Sequence, residues 1–175
     1  MIISILFLYS CGQHIENKEN VVVAQEGNFW CWAAVAEAGL KHYGIDRNQE
    51  EIFKTYFNRA MIIPDDYLSP YAALPWGMSY MYQSRILNYQ NISGRVVMFD
   101  EVTQLIDNNI PVIVLYNAHV AMITGYKKSL FSDGVEYEIM DPAYKMKKIQ
   151  PFTWVSQKRI STLGYTTPFY FVCCY

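Results

Sequence analysis

Several enzyme fingerprints are missing from this sequence. It has no G-x-G-x-x-G, no phosphate-binding loop, and none of the patterns H-E-x-x-H, C-x-x-C or G-x-S-x-G. The common nucleotide-binding, zinc-protease and serine-hydrolase motifs are therefore absent. Positive charge is also scarce, since the net charge is −2 and Lys and Arg form no long run. A protein that neutralises nucleic-acid phosphates needs a basic surface, so we expect no nucleic-acid partner.

The composition is that of one folded domain. The chain has 175 residues, of which 52% are hydrophobic and 17% charged. This length is enough to bury one sizeable core, and the balance of apolar and charged residues argues against disorder. The few Cys and His residues show no zinc-type ligand spacing, so we expect no metal.

The amino terminus is typical of an exported protein. Residues 2–9 are apolar except for Ser4, which suits a signal core but is too short to span a bilayer. The run ends in Leu8-Tyr9-Ser10-Cys11-Gly12, which resembles a bacterial lipobox, although no Lys or Arg precedes Cys11. That resemblance implies lipidation of Cys11 as the one membrane contact and a location in the cell envelope, with secretion as the other possibility.

The domain boundaries follow from this start. We expect a signal at residues 1–11, a polar tether at 12–20 and the folded domain at 21–175. The alternative is that the apolar run is a buried first strand that ends in an ordinary Cys11.

The order of elements predicts an α+β fold. A helix at 31–43 is apolar on nearly every face and should be buried. A second helix should follow, capped by Asp46 and Gln49. An amphipathic helix should then precede β-rich runs at 112–116, 119–126, 135–140 and 165–172.

Cys31 is the candidate nucleophile among the four cysteines. It opens the predicted buried helix, where free N–H groups and the helix dipole favour the thiolate that performs nucleophilic attack. Cys11 belongs to the signal. Cys173 and Cys174 are adjacent, so they are poorly placed to bond each other and are expected to pack as small apolar side chains.

His119 is the candidate base among the three histidines. A cysteine nucleophile needs a nearby imidazole. His14 falls in the expected tether. His42 lies on the same helix as Cys31 but about 16 Å along its axis, too far to reach the thiol. His119, at the start of a strand in the second half of the chain, remains.

Two further residues complete the candidate site. Asp141 ends the strand after His119 and could orient the imidazole, with Asn117 and Asp133 as alternatives. For His119 and Asp141 to meet, we expect residues 127–133 to form a loop that pairs Tyr126 with Gly134, although the turn residues favour a tighter hairpin.

Gln25 precedes Cys31 by six residues. Its amide could form an oxyanion hole with the Cys31 N–H group.

These motifs together resemble one family. They are Gln25 with five residues before Cys31-Trp32-Ala33-Ala34, then Asn117-Ala118-His119 running into Ile123-Thr124-Gly125-Tyr126, then Asp141-Pro142. They are similar to papain-like cysteine peptidases, in particular a bacterial branch with bacteriocin-leader peptidases and secreted effector proteases. The resemblance implies a two-lobed α+β fold and a peptide or protein substrate, without a cofactor.

The same resemblance implies the roles of the site residues. Cys31 is then the nucleophile, His119 the general base and acid, Asp141 the orienting residue and Gln25 the oxyanion donor. Phe29 and Trp30 replace the Gly-Ser of plant and lysosomal members, which would narrow the cleft, and Trp154 could cover His119 or pack in the core. The same site would also serve a papain-fold acyltransferase or transglutaminase-like enzyme. A non-catalytic peptide-binding module is a third possibility.

Overall fold

A computed structural model of the chain describes residues 12–28, 30–60, 92–116, 119–128, 134–162 and 168–173. The strands are β1 (Gln13–His14), β2 (Ile92–Val96), β3 (Val112–Tyr116), β4 (His119–Lys128), β5 (Val135–Met140), β6 (Phe152–Ser156) and β7 (Pro168–Cys173). The helices are α1 (Cys31–His42), α2 (Gln49–Ala60), α3 (Phe99–Asp107), α4 (Tyr144–Lys147) and α5 (Gln157–Thr162). Two helices precede most of the strands, as expected for the α+β class.

The strands form one antiparallel sheet in the order β2-β7-β3-β4-β5-β6, and the short β1 pairs with β4. Strand β4 is central, and its residues from Val120 to Tyr126 are all buried. Helix α1 packs against β4. This packing places the first residue of α1 near the strands that carry the other candidate site residues.

Helix α1 is buried along most of its length, as its composition predicts. All ten residues from Cys31 to Leu40 are buried. Even Glu37 is only 7% exposed. Its carboxylate is neutralised by Lys41, at 2.6 Å, and accepts a hydrogen bond from Gln49 Nε2 at 2.9 Å. A charged side chain can lie in this core because both of its oxygens have partners.

The predicted cap of α2 is wrong. Asn48 caps the helix, because its Oδ1 accepts from the Glu51 N–H group while Glu51 Oε2 accepts from the Asn48 N–H group, at 2.9 and 3.1 Å. These reciprocal bonds are a capping box two residues later than the predicted Asp46 and Gln49 pair. Gln49 is instead buried and bonds with Glu37.

The segment expected to be a tether packs against the sheet over part of its length. Gln13 and His14 pair with Tyr126 and Gly125. Ile15 and Val21 are 2% and 0% exposed. The mainly polar segment at 12–20 is therefore held against the domain, because β1 pairs with β4 and the one large apolar residue of the segment, Ile15, enters the core.

The hairpin between β4 and β5 differs from the expected register. Tyr126 pairs with Tyr137 rather than Gly134, and β4 continues through Lys128. The charged residues remain in a strand because Lys127 Nζ lies 2.8 Å from Glu136 Oε2 on the neighbouring strand, and opposite charges across a ladder stabilise pairing. A register shift between Ile123 and Gly125 also moves the pairing by one residue.

Within the described parts of the chain, no helix is both long and apolar enough to span a bilayer.

Candidate active site

Cys31 is the first residue of α1 and is 3% exposed. The residue before it, Trp30, is the N-cap and makes no side-chain capping bond. Ser, Thr, Asp or Asn at this position would occupy the N–H groups of the first turn. With Trp30 there, those groups remain free of a side-chain cap beside the Cys31 thiol, where they favour negative charge.

His119 lies between a carboxylate and the thiol. Its Nε2 is 2.7 Å from Asp141 Oδ1, so Nδ1 is the ring nitrogen that this bond leaves available. The imidazole also makes a hydrogen bond with Cys31. The structure thus brings together Cys31 from α1, His119 from the start of β4 and Asp141 from the residue after β5.

Opposing effects act on the pKa of His119. Burial lowers this pKa, but the hydrogen bonds with Asp141 and Cys31 and the negative charges of both groups outweigh burial. The net result raises the pKa of His119 from 6.5 to about 9. The imidazole is therefore protonated at neutral pH, as expected of a histidine that is hydrogen-bonded to a carboxylate.

The carboxyl of Asp141 is shifted in the other direction. Burial alone would raise its pKa, but hydrogen bonds from His119, Lys147 and the Ala143 N–H group, with the positive charge of His119, hold the pKa of Asp141 well below its usual value. Asp141 is 6% exposed, so its charge is stabilised by these donors rather than by water.

A tight turn fixes Asp141 in place. Its Oδ1 accepts from the Ala143 N–H group at 2.9 Å, and its carbonyl accepts from the Tyr144 N–H group at 3.1 Å. This is the local side-chain-to-backbone bond that Asp favours in turns. Lys147, at the end of α4, places Nζ 2.7 Å from Asp141 Oδ2. Sequence reasoning missed Lys147, because nothing in the sequence distinguishes it from the neighbouring Lys145 and Lys148.

Gln25 joins the site through its backbone and lies against the segment that leads into α1. Its N–H group donates to the Pro142 carbonyl at 2.8 Å, which ties it to the Asp141 turn. Its side-chain Nε2 donates to the carbonyls of Gly27 and Asn28, at 2.8 and 3.1 Å. Its Oε1 is buried without a hydrogen-bond partner among the described residues. The amide hydrogens of Gln25 thus bond to backbone carbonyls, whereas the sequence suggested that this amide donates to an oxyanion.

The remaining candidates lie elsewhere. His42 Nε2 donates to the Asn109 carbonyl at 2.8 Å, at the far end of α1, and burial lowers the pKa of His42. Trp154 does not cover His119, because its ring contacts His14 and Lys127 instead. Trp30 stacks on Phe53, with the ring centroids 5.3 Å apart.

Other sequence-predicted residues fall outside the described parts of the chain. These are Cys11, Phe29, Asn117, Asp133 and Cys174. Among the described residues, no group of three or more His, Cys, Asp or Glu side chains is arranged to hold a metal ion.

A buried cysteine at the start of a core helix, facing a histidine on an antiparallel sheet, is the arrangement typical of papain-like cysteine peptidases. A profile of the Peptidase_C39 like family matches residues 17–161. The chain belongs to this family, and the α+β papain-like fold expected from the sequence is confirmed.

Other comparisons give distant or no matches. No curated protein sequence matches the chain. Among solved structures, the crystal structure of UfSP from C. elegans superposes with a TM-score of 0.40 at 13% sequence identity. That superposition covers 71% of this chain and 28% of the UfSP chain.

Proposed function

We propose that this protein hydrolyses peptide or protein amide bonds through an acyl-enzyme on Cys31. One observation carries the proposal: a single imidazole, that of His119, is bonded to both a buried helix-start thiol and a buried carboxylate. A nucleophile, a base and a group that orients the base are the three parts that covalent amide hydrolysis requires.

The steps follow from the positions of these groups. The Cys31 sulfur attacks the substrate carbonyl carbon, and His119 gives its proton to the leaving amine as the C–N bond breaks. Water then attacks the thioester, His119 takes a proton from that water, and the C–S bond breaks to release the acid and restore the thiolate beside the protonated imidazole. Asp141 keeps Nε2 engaged, so that Nδ1 serves the sulfur.

The oxyanion formed during attack needs hydrogen-bond donors. The Cys31 N–H group, in the first turn of α1, is one. The Gln25 amide is the second, since Gln25 is buried beside the loop that leads to α1. Both of its hydrogens contact backbone carbonyls, so we propose that one of these bonds is exchanged for the oxyanion.

The test is the pH dependence of Cys31 alkylation by iodoacetamide in the full chain, quantified at the Cys31 peptide by mass spectrometry. We expect rapid alkylation below pH 7 that is lost in His119→Ala. The matched control is His42→Gln, which removes a second half-buried imidazole but keeps a donor for the Asn109 carbonyl. An ordinary thiol profile in the wild-type protein, or equal losses in both variants, would overturn the assignment.

Turnover is tested with fluorogenic peptide libraries, first in water and then with an added amine. Cys31→Ala should abolish hydrolysis, and His119→Ala should lower kcat/KM by about 10²–10⁴-fold. Products that carry the amine in place of water would make the protein an acyltransferase instead of a peptidase.

We propose further that the protein is exported and lipidated at Cys11. The support is the apolar run at 2–9 and the sequence Ser10-Cys11-Gly12. Because β1 begins at Gln13, a lipid on Cys11 would hold the peptidase domain close to the membrane surface. Metabolic labelling with an alkyne fatty acid should mark the wild-type protein and not Cys11→Ser. Equal labelling of both would contradict the proposal.

A further inference from the structure

We propose that Lys147 is a positioning residue for the candidate triad. Its ammonium holds the second oxygen of Asp141 and offsets the negative charge of that carboxylate. This inference rests on the proposed function, since it concerns the same Cys31 and His119 pair. The ammonium of Lys147 bonds with Asp141, so Lys147 acts on the thiol and the imidazole through that carboxylate.

The carboxylate of Asp141 is held on both of its oxygens. Oδ1 accepts from His119 Nε2 at 2.7 Å and from the Ala143 N–H group at 2.9 Å. Oδ2 accepts from Lys147 Nζ at 2.7 Å. Donors on both sides prevent the carboxylate from rotating about its last bond. The oxygen that faces His119 therefore stays in the direction that orients the ring.

The fold brings Lys147 back to Asp141 within six residues. Helix α4 is a single turn, closed by the bond from the Lys147 N–H group to the Ala143 carbonyl at 2.9 Å. Lys148 then adopts a left-handed conformation with φ 54° and ends the turn. The side chain of Lys147 is 48% exposed, while that of Asp141 is 9% exposed. The ammonium thus covers a buried carboxylate from the solvent side.

Charge balance gives Lys147 a chemical effect. In the reactive state the Cys31 thiolate and Asp141 are negative, and His119 and Lys147 are positive. These groups come from α1, the end of β5, β4 and α4, and together they are neutral. Without Lys147 the buried group would carry one net negative charge, which the low-dielectric interior penalises. Protons would then be held more tightly across the triad.

The test compares Lys147→Met and Lys147→Arg with the control Lys145→Met, which removes an equal charge from the same helical turn. Cys31 alkylation by iodoacetamide is followed against pH in each full-length protein. In Lys147→Met we expect the midpoint at which Cys31 becomes reactive to move upward by roughly half a pH unit or more. In Lys147→Arg and Lys145→Met we expect the midpoint of the wild type.

A second readout is the NMR titration of His119, whose midpoint should also rise in Lys147→Met. Because Lys147 is half exposed, 1 M salt should reduce the shift. A Lys147→Met profile that superimposes on the wild type, or an equal shift in Lys145→Met, would overturn the inference and leave the proposed function intact. Wild-type alkylation that does not depend on His119 would overturn the proposed function itself.

Discussion

Replacing Asp141 with Asn tests the electrostatic core of the site. Asn keeps the size of the side chain and an oxygen that can accept from Nε2, but it removes the negative charge. The rise in the pKa of His119 from 6.5 to about 9 corresponds to on the order of 3 kcal/mol in favour of the protonated ring. Asp141 and Cys31 supply this energy against the opposing effect of burial. In Asp141→Asn we therefore expect the pKa of His119 to fall by more than one unit.

NMR titration of the histidine Cε1–H groups is the direct assay. The chain has only three histidines, and His42 should titrate below 6.5 because burial lowers its pKa. Cys31→Ala alone should leave His119 above 6.5, since Asp141 remains. The double variant with Asp141→Asn should bring His119 below 6.5, because burial is then unopposed.

The unfolding free energy should depend on pH through the charges of His119 and Asp141. A histidine with a raised pKa stabilises the fold fully below its unfolded value of 6.5, and this contribution is lost as the pH rises toward about 9. The lowered pKa of Asp141 stabilises the fold above the ordinary value of 3.8 and is lost as the pH falls. The difference in unfolding free energy between wild type and Asp141→Asn should therefore be largest near pH 5–6.

The reasoning would be refuted if His119 kept its wild-type midpoint in Asp141→Asn. It would also be refuted if the stability difference between the two proteins were flat from pH 5 to pH 9. Either result would mean that the 2.7 Å contact between Nε2 and Oδ1 does not set the charge of the imidazole.

Two substitutions outside the site test the packing around it. In Gly125→Ala the new Cβ would lie 2.7 Å from the Gln13 carbonyl, so β1 must shift. We expect the unfolding free energy measured in urea to fall by about 1–3 kcal/mol, and we expect faster proteolysis near Gln13. Gly44→Ala is the control, because Gly44 has φ +74° and open space around it. This variant should be less stable but should not be cleaved faster near Gln13. Equal cleavage of the two variants would contradict the docking of β1. Gln49→Leu removes the hydrogen bonds with buried Glu37, the Ala24 carbonyl and the Glu26 N–H group. It should lower the unfolding free energy by about 2–4 kcal/mol, and a loss below about 0.5 kcal/mol would show that these groups need no such partner.

Local features of the fold were predictable from the sequence. A largely apolar stretch from Cys31 to Leu40, with one charged residue among ten, is typical of a helix buried inside the domain. Strands β3 and β5 have the predicted bounds, because runs of β-branched residues between turn residues specify strands over short distances. The cap of α2 was misplaced because two overlapping polar patterns, at Asp46 and Asn48, satisfy the same local rule.

The candidate site was predictable only as a set of residue types. Elimination among three histidines selected His119, because His42 lies on the same rigid helix as Cys31 and cannot approach it. The pairing of His119 with Asp141 was expected, but through a hairpin register that the structure does not have. The expected loop assumed that Lys127 would avoid a strand, and the sequence could not show that Glu136 would face it.

The sequence by itself therefore determined the class of fold, the buried helix and the thiol at its start, since these depend on patterns within a few turns of chain. Tertiary structure alone decided which of several neighbouring lysines meets Asp141, how the Gln25 amide is oriented and whether residues 12–20 pack against the domain. Each of these depends on contacts between residues far apart in sequence or on the angle of one side chain. Composition leaves such contacts open because any of several polar groups could satisfy a given donor or acceptor, and only the packed arrangement selects one.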